Sequence, residues 1–248
     1  MRDGPWHGAI PLLSAVAAVT SRIRLGTLVA SPNFRHPVPF AKELMTLDDV
    51  SAGRLTLGIG AGSESHDATV LGLPAWPAAQ RTARFAEFIS LLDTLLTSQA
   101  TTFAGQFYSA DDARMLPGCV QQPRLPFAIA ATGPRGMQVV ARYAQTWVTY
   151  GDPALPADEH FDGLPRLVSL LDSACSDAGR DPSSISRLVL TGALGPDSFG
   201  SVGQFADAVA RYSSLGFTDV VLHYPRRESP YAGDPSVLSE IAAALPSL

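Results

Sequence analysis

The stretch Ile23–Gly62, IRLGTLVASPNFRHPVPFAKELMTLDDVSAGRLTLGIGAG, decides the fold. Its ends, Ile23–Ala30 and Leu55–Gly60, are apolar runs that stop at Gly, Ser or Pro and are too short for helices. Between them, Pro37–Asp48 carries Val38, Ala41, Leu44, Met45 and Leu47 at mostly helical spacing. Strand, helix, strand in this order is a crossover unit, which must join parallel strands. A strand buried on both faces has to be apolar at nearly every position. Leu55-Thr56-Leu57-Gly58-Ile59 nearly meets that demand.

Working outward, the chain alternates. Ala9–Thr20 reads as a helix ahead of the first strand, and Pro77–Leu96 as an amphipathic one, with Phe85, Phe88, Ile89, Leu92 and Leu96 on one stripe. Thr101–Pro126 reads as a long irregular connection. Strands follow at Phe127–Ala131, Trp147–Tyr150, Leu188–Leu190 and Val220–Leu222, with helices through Tyr143 and over Leu164–Ala178, Phe205–Leu215 and Val237–Leu245. Seven helices alternating with six strands predict an α/β protein, either a closed barrel or a doubly wound sheet. The length of 248 residues suits one (β/α)8 barrel domain spanning 1–248. A barrel needs eight strands, so the expected domain is N-terminally incomplete, with the first two strands missing before Met1.

Composition excludes several classes. A formal net charge of −5 with no run of basic residues argues against nucleic acid or an acidic membrane as partner. No run is long and apolar enough for a transmembrane helix, and the start MRDGPWHGAIPLL lacks a signal peptide's layout. Cys119 and Cys175 fit neither a disulfide framework nor a paired metal motif, which predicts a cytoplasmic protein.

The residues from Arg22 to Gly62 resemble the signature region of the bacterial-luciferase-like, flavin-dependent monooxygenases. The likeness continues through Phe103-x-Gly105-x-x-Tyr108, Leu125-Pro126, Ala131-Thr132-Gly133-Pro134 and Trp147. It implies a TIM-type barrel and an oxidoreductase that uses reduced FMN and O2 on a small organic substrate. The alternatives are hydride transfer with coenzyme F420, or a truncated barrel without catalysis. The expected partners are a small-molecule substrate, a separate flavin reductase and a second copy in a homodimer.

Candidate site residues cluster after the strands. The resemblance implies a non-proline cis peptide at Leu28–Val29, behind the flavin ring. Gly58-Ile59-Gly60-Ala61-Gly62 lets backbone amides approach a planar or anionic ligand. Ser63 stands where a dinucleotide fingerprint needs its third glycine, so that motif fails. A tight turn with no ligand reads equally well. Some relatives carry an arginine at the position of Ala61 to hold phosphate, so this chain must use other donors. Thr132-Gly133-Pro134-Arg135-Gly136, after Ala131, opens a helix whose first amides and dipole favour an anion. The resemblance assigns it the flavin phosphate; the plain alternative is a capped helix start.

Glu64, His66 and His7 are weak candidates for proton transfer. His36 reads as a helix starter and His160 as a solvated loop residue. His223 with Tyr224 reads as a lining or packed pair, and Asp111-Asp112 as a solvated face. A metal-dependent hydrolase would need ligands at several strand ends, for which only His66-Asp67 and His223 offer themselves. No metal is expected.

Overall fold

The computed structural model describes residues 7–63, 68–156, 159–191, 200–227 and 231–245. It divides into two compact units, Met1–Ala131 with Arg142–Gln145, and Thr132–Ala141 with Thr146–Leu248.

The first unit contains the crossover. Strand β1 (Leu25–Gly26) leads through helix α2 (Pro37–Val50) to β2 (Leu55–Gly60), and α1 (Ala9–Val19) precedes β1 and packs on α2. β1 and β2 are parallel, with Leu25 opposite Leu55, and β2 pairs in parallel with β5 (Phe127–Ala130), with Leu57 opposite Phe127. Phe40, Ala41, Leu44 and Leu47 of α2 are buried, as are Leu57 and Ile59 of β2. Each large apolar side chain so buried contributes roughly 1.5–3 kcal/mol. Helix α3 (Ala78–Thr97) buries the expected stripe of Phe85, Phe88, Ile89, Leu92 and Leu96. Arg54 fixes the entry to β2. Its guanidinium donates to the carbonyls of Ala17, Thr20, Ile23 and Ser51, so it satisfies one open carbonyl in the last turn of α1 and that of the cap, Thr20.

The expected irregular connection is partly regular. Residues 100–114 form an antiparallel hairpin, β3 (Ala100–Ala104) and β4 (Ser109–Arg114). Its turn hangs on one carboxylate, because Glu87 accepts from the amides of Gln106, Phe107 and Tyr108 at 2.9, 2.8 and 2.7 Å. A Cβ at Gly105 would fall 2.2 Å from that carboxylate, which accounts for the glycine. Hairpin strands this polar show neither an apolar run nor an alternation that sequence reading can detect.

In the second unit, β6 (Thr146–Thr149), β7 (Ser186–Leu190) and β8 (Asp219–Val221) are parallel, in that order. α4 (Pro134–Tyr143) begins in this unit and ends in the first. α5 (His160–Asp177), α6 (Val202–Ser214) and α7 (Pro235–Ala244) complete it. Trp147 packs on Phe217, and Phe217 on Tyr212, as a buried aromatic core. Among the described residues no helix is long and apolar enough to cross a membrane.

Candidate active site

The end of the first strand is a bulge. Gly26 lies opposite Thr56 and Ala30 opposite Ile59, so four residue steps on one strand face three on the other. The expected eight-residue strand is thereby cut to Leu25–Gly26 plus the bridge at Ala30. The carbonyl of Gly58 closes the bulge, accepting from the Thr27 hydroxyl at 2.6 Å and the Ala30 amide at 2.8 Å. A Cβ at Gly58 would lie 1.8 Å from the carbonyl oxygen of Thr27, so only glycine permits this packing. The Leu28–Val29 peptide bond between these contacts is cis, as the resemblance implies. The bulge turns two large apolar side chains outward, leaving Leu28 38% and Val29 43% exposed.

The loop after β2 starts beside it. The Gly60 amide donates to Ala30 at 2.9 Å, and a Cβ on Gly60 would lie 3.3 Å from Val29 Cγ2 and 3.4 Å from the Ala130 Cβ. Ala61 is half-buried and Ser63 exposed. Gly62 adopts φ 79°, and its Cβ would meet the Asn33 amide at 2.8 Å. Gly58 and Gly62 are therefore fixed by packing, and Gly60 is buried close against Val29 and Ala130. Asn33 belongs to a 3-10 turn, Pro32–Phe34, that two guanidinium groups hold. Arg35 donates to the Ser31 carbonyl at 3.1 Å, and Arg84 of α3 donates to the Pro32 carbonyl.

At the start of α4, the Met137 amide donates to the Gly133 carbonyl at 3.0 Å. Pro134 has no N–H, so the amides of Arg135 and Gly136 are the first-turn donors without an acceptor in their own helix. Ala131 and Thr132 are half-buried, while Gly133, Pro134 and Arg135 are exposed. A Cβ added at Gly133 would meet nothing within 4 Å. Nothing in the protein's own packing requires that glycine.

The family model of the luciferase-like monooxygenases matches residues 2–194. The chain belongs to that family. An F420-dependent glucose-6-phosphate dehydrogenase of Beutenbergia cavernae is 31% identical over 276 residues, which take in 90% of this chain and 81% of the relative. Among solved structures, the coenzyme F420 dependent tetrahydromethanopterin reductase of Methanopyrus kandleri superposes with a TM-score of 0.75 at 17% identity, over 97% of this chain and 88% of its own. The monooxygenase RslO1 of Streptomyces bottropensis gives a TM-score of 0.61 at 25% identity, over 84% of this chain. This chain spans 61% of RslO1.

The other candidates of this luciferase-like chain fall elsewhere. Glu64, His66 and Asp67 lie outside the described residues. His7 is exposed, one residue before the Gly8 cap of α1. His36 starts a helix, its Nδ1 accepting from the Val38 amide at 3.3 Å. His223 packs on Tyr231, with ring centroids 4.2 Å apart, while Tyr224 is exposed. Asp111 and Asp112 are exposed, and Asp112 pairs with Arg114. His160 corrects its reading as a solvated residue: it is 4% exposed, with Nε2 3.0 Å from the Tyr212 hydroxyl. Gly151, at φ 107°, makes room for that ring, since a Cβ there would fall 2.6 Å from Nδ1. Among the described residues no group of three or more His, Cys, Asp or Glu could hold a metal ion.

Sequence reading missed two buried charges near the starts of β2 and β5, the strand ends opposite the candidate site. Asp48 of α2 is fully buried and accepts from the Val120 and Gln121 amides at 2.8 and 3.0 Å and from Gln121 Nε2 at 2.7 Å. Arg124, also buried, pairs with Asp93 at 2.7 Å, donates to the carbonyls of Leu125 and Tyr143, and lies 3.4 Å from the Phe127 ring centroid. Burial lowers its pKa, with Asp93 opposing. Both tie the connection before β5 to the unit's helices. Their partners lie tens of residues away, so no local pattern marks them.

Proposed function

We propose that this luciferase-like chain is an oxidoreductase that uses coenzyme F420 to move a hydride to or from a small organic substrate. The observation that carries a ring-binding site is the outward pair Leu28 and Val29 on the bulge. The choice of F420 rests on the Beutenbergia relative, which matches 90% of this chain. A second reading, oxygenation of a small substrate with reduced FMN, O2 and a separate reductase, is favoured by the likeness to RslO1.

The residues at the bulge suit the apolar face of a tricyclic ring, and those at the start of α4, taken by themselves, suit a phosphate. When bound, the cofactor supplies the redox chemistry, hydride exchange for F420 or oxygen activation for FMN. Leu28 and Val29 support the ring by apolar contact and keep water from it. The amides of Ala61 and Gly62 would be donors to the cofactor, since Ala61 brings no guanidinium. The start of α4 holds a phosphate. Thr132 would contribute its hydroxyl, Gly133 close backbone approach, Arg135 and Gly136 their amides, Arg135 its charge, and Pro134 the fixed first turn. Ala131 leads the chain into that turn. The proposal includes one domain over 1–248 of the (β/α)8-barrel type and a homodimer.

Titration of the purified protein with F420 and with FMN, read by fluorescence, tests it. F420 binding at least about tenfold tighter, a difference of about 1.4 kcal/mol, supports the first reading. The reverse order transfers support to the FMN reading, and binding of neither removes both.

A further inference from the structure

The connection after β2 ends in an apolar run that the protein's own packing leaves in water. Val70-Leu71-Gly72-Leu73-Pro74-Ala75-Trp76 carries no charge, and its one polar side-chain group is the indole N–H. Val70, Leu71 and Leu73 are 64, 62 and 63% exposed, on a turn that the Gly72 amide closes by donating to the Thr69 carbonyl at 2.9 Å. A Cβ at Gly72 would meet nothing within 4 Å, so the turn stands clear of the chain at that point. One exposed leucine is ordinary, but three large apolar side chains on one short turn mark a surface meant to be covered.

Both ends of that connection abut the bulge segment. It starts at Gly60, where an added Cβ would lie 3.3 Å from Val29 Cγ2. It finishes at Trp76, whose ring centroid lies 5.5 Å from Arg84 Cζ, and Arg84 donates to the Pro32 carbonyl, two residues past the bulge. Trp76 is fixed there, edge-on to Phe107 with centroids 5.7 Å apart and its carbonyl accepting from Arg81 at 3.3 Å. The exposed turn therefore belongs to the same strand ends as Leu28 and Val29, the end of a parallel sheet at which ligands bind. The described charged groups beside it are engaged by the protein itself. Glu87 holds three hairpin amides. Arg35 donates to the Ser31 carbonyl, lies 4.6 Å from the Phe34 centroid and is acted on by the Glu43 charge. Arg84 stands against the Tyr108 hydroxyl as well as the Pro32 carbonyl. A phosphate needs charged donors, whereas a hydrocarbon gains simply by covering exposed apolar area.

We propose that Val70, Leu71 and Leu73, with Trp76, form the wall for a neutral, largely hydrocarbon substrate lying beside the ring seated on Leu28 and Val29. This rests on the proposed ring site and gives its small organic substrate a chemical class. That class differs from the phosphorylated sugar in the name of the Beutenbergia relative.

The test titrates the full chain, with F420 present, with 1-hexanol, 1-octanol, 1-decanol and glucose 6-phosphate in a calorimeter. Each methylene taken from water tightens binding about fourfold, so octanol is expected to bind more than about tenfold tighter than hexanol. Glucose 6-phosphate is expected to bind more weakly than octanol. Leu71→Ser and Leu73→Ser, both at exposed positions, should keep the melting temperature and weaken octanol severalfold. Val19→Ser, equally exposed but at the end of α1 where the chain enters β1, should leave octanol unchanged. A flat alcohol series overturns the wall, as does tighter binding of glucose 6-phosphate than of octanol. Octanol affinity unchanged in both leucine variants, or reduced as much in Val19→Ser, overturns it too. A Leu71→Ser chain that loses a dimer in sedimentation and keeps its octanol affinity assigns the turn to a second copy instead. Failure of the wild type to bind F420 counts against the proposed function, and the same alcohol series on the chain alone then decides the turn.

Discussion

Replacing Asp48 by Ala removes a fully buried carboxylate that receives three hydrogen bonds, from the Val120 amide, the Gln121 amide and Gln121 Nε2. Gln121 Nε2 keeps its bond to the Leu55 carbonyl at 2.7 Å, but the two backbone amides keep nothing. Each buried donor left unsatisfied costs about 1–3 kcal/mol, so two amides and a weakened side-chain contact total roughly 3–5 kcal/mol. Asp48→Asn keeps the size and one acceptor oxygen, and should cost about 1–3 kcal/mol. Urea unfolding at about pH 7 measures the totals, and deuterium uptake over residues 116–126 places them, because the Val120 and Gln121 amides should exchange faster. A loss below about 1 kcal/mol in Asp48→Ala, with unchanged uptake there, would refute the argument that this carboxylate ties the connection to α2.

Two glycines are expected to behave oppositely. Gly58→Ala puts a methyl 1.8 Å from the Thr27 carbonyl and should destabilise by about 3 kcal/mol or more in thermal melts. Gly133→Ala meets nothing within 4 Å, so its melting temperature should hold while F420 or FMN binds several-fold more weakly; unchanged affinity would remove this turn from the site. Burial, then the charge of Arg211, lower the pKa of His160 from its ordinary 6.5. Its neighbour Tyr212 is pushed up to about 12 by burial and stays protonated. The unfolded chain takes up a proton that the folded one refuses. Stability should therefore be full above pH 6.5 and fall as pH drops through and below it. His160→Gln should flatten melting temperature against pH between about 6.5 and 5, and equal slopes in both proteins would count against the linkage.

The crossover was legible because its signals are local: apolar runs, a helical period, and glycines where β2 ends. The turn at Thr132–Gly136 was legible for the same reason. The bulge was readable only through family resemblance, since the collision that demands Gly58 comes from Thr27, across the strand pair. His160 was misread because its partner, Tyr212, is 52 residues away and a polar flank suggested solvent. Arg84 and Glu87 lie off the apolar stripe of an amphipathic helix, and Tyr108 falls in a stretch that reads as an irregular connection. Only the folded hairpin shows one carboxylate holding three amides and one hydroxyl enclosed beside a guanidinium.

The account rests on a ring seated against Leu28 and Val29. Deuterium uptake with and without saturating F420 tests that placement directly. It predicts slower exchange over residues 25–34 and 56–63, with peptides over the hairpin strands 100–104 and 109–114 unchanged. Binding that leaves 25–34 and 56–63 unprotected would contradict it.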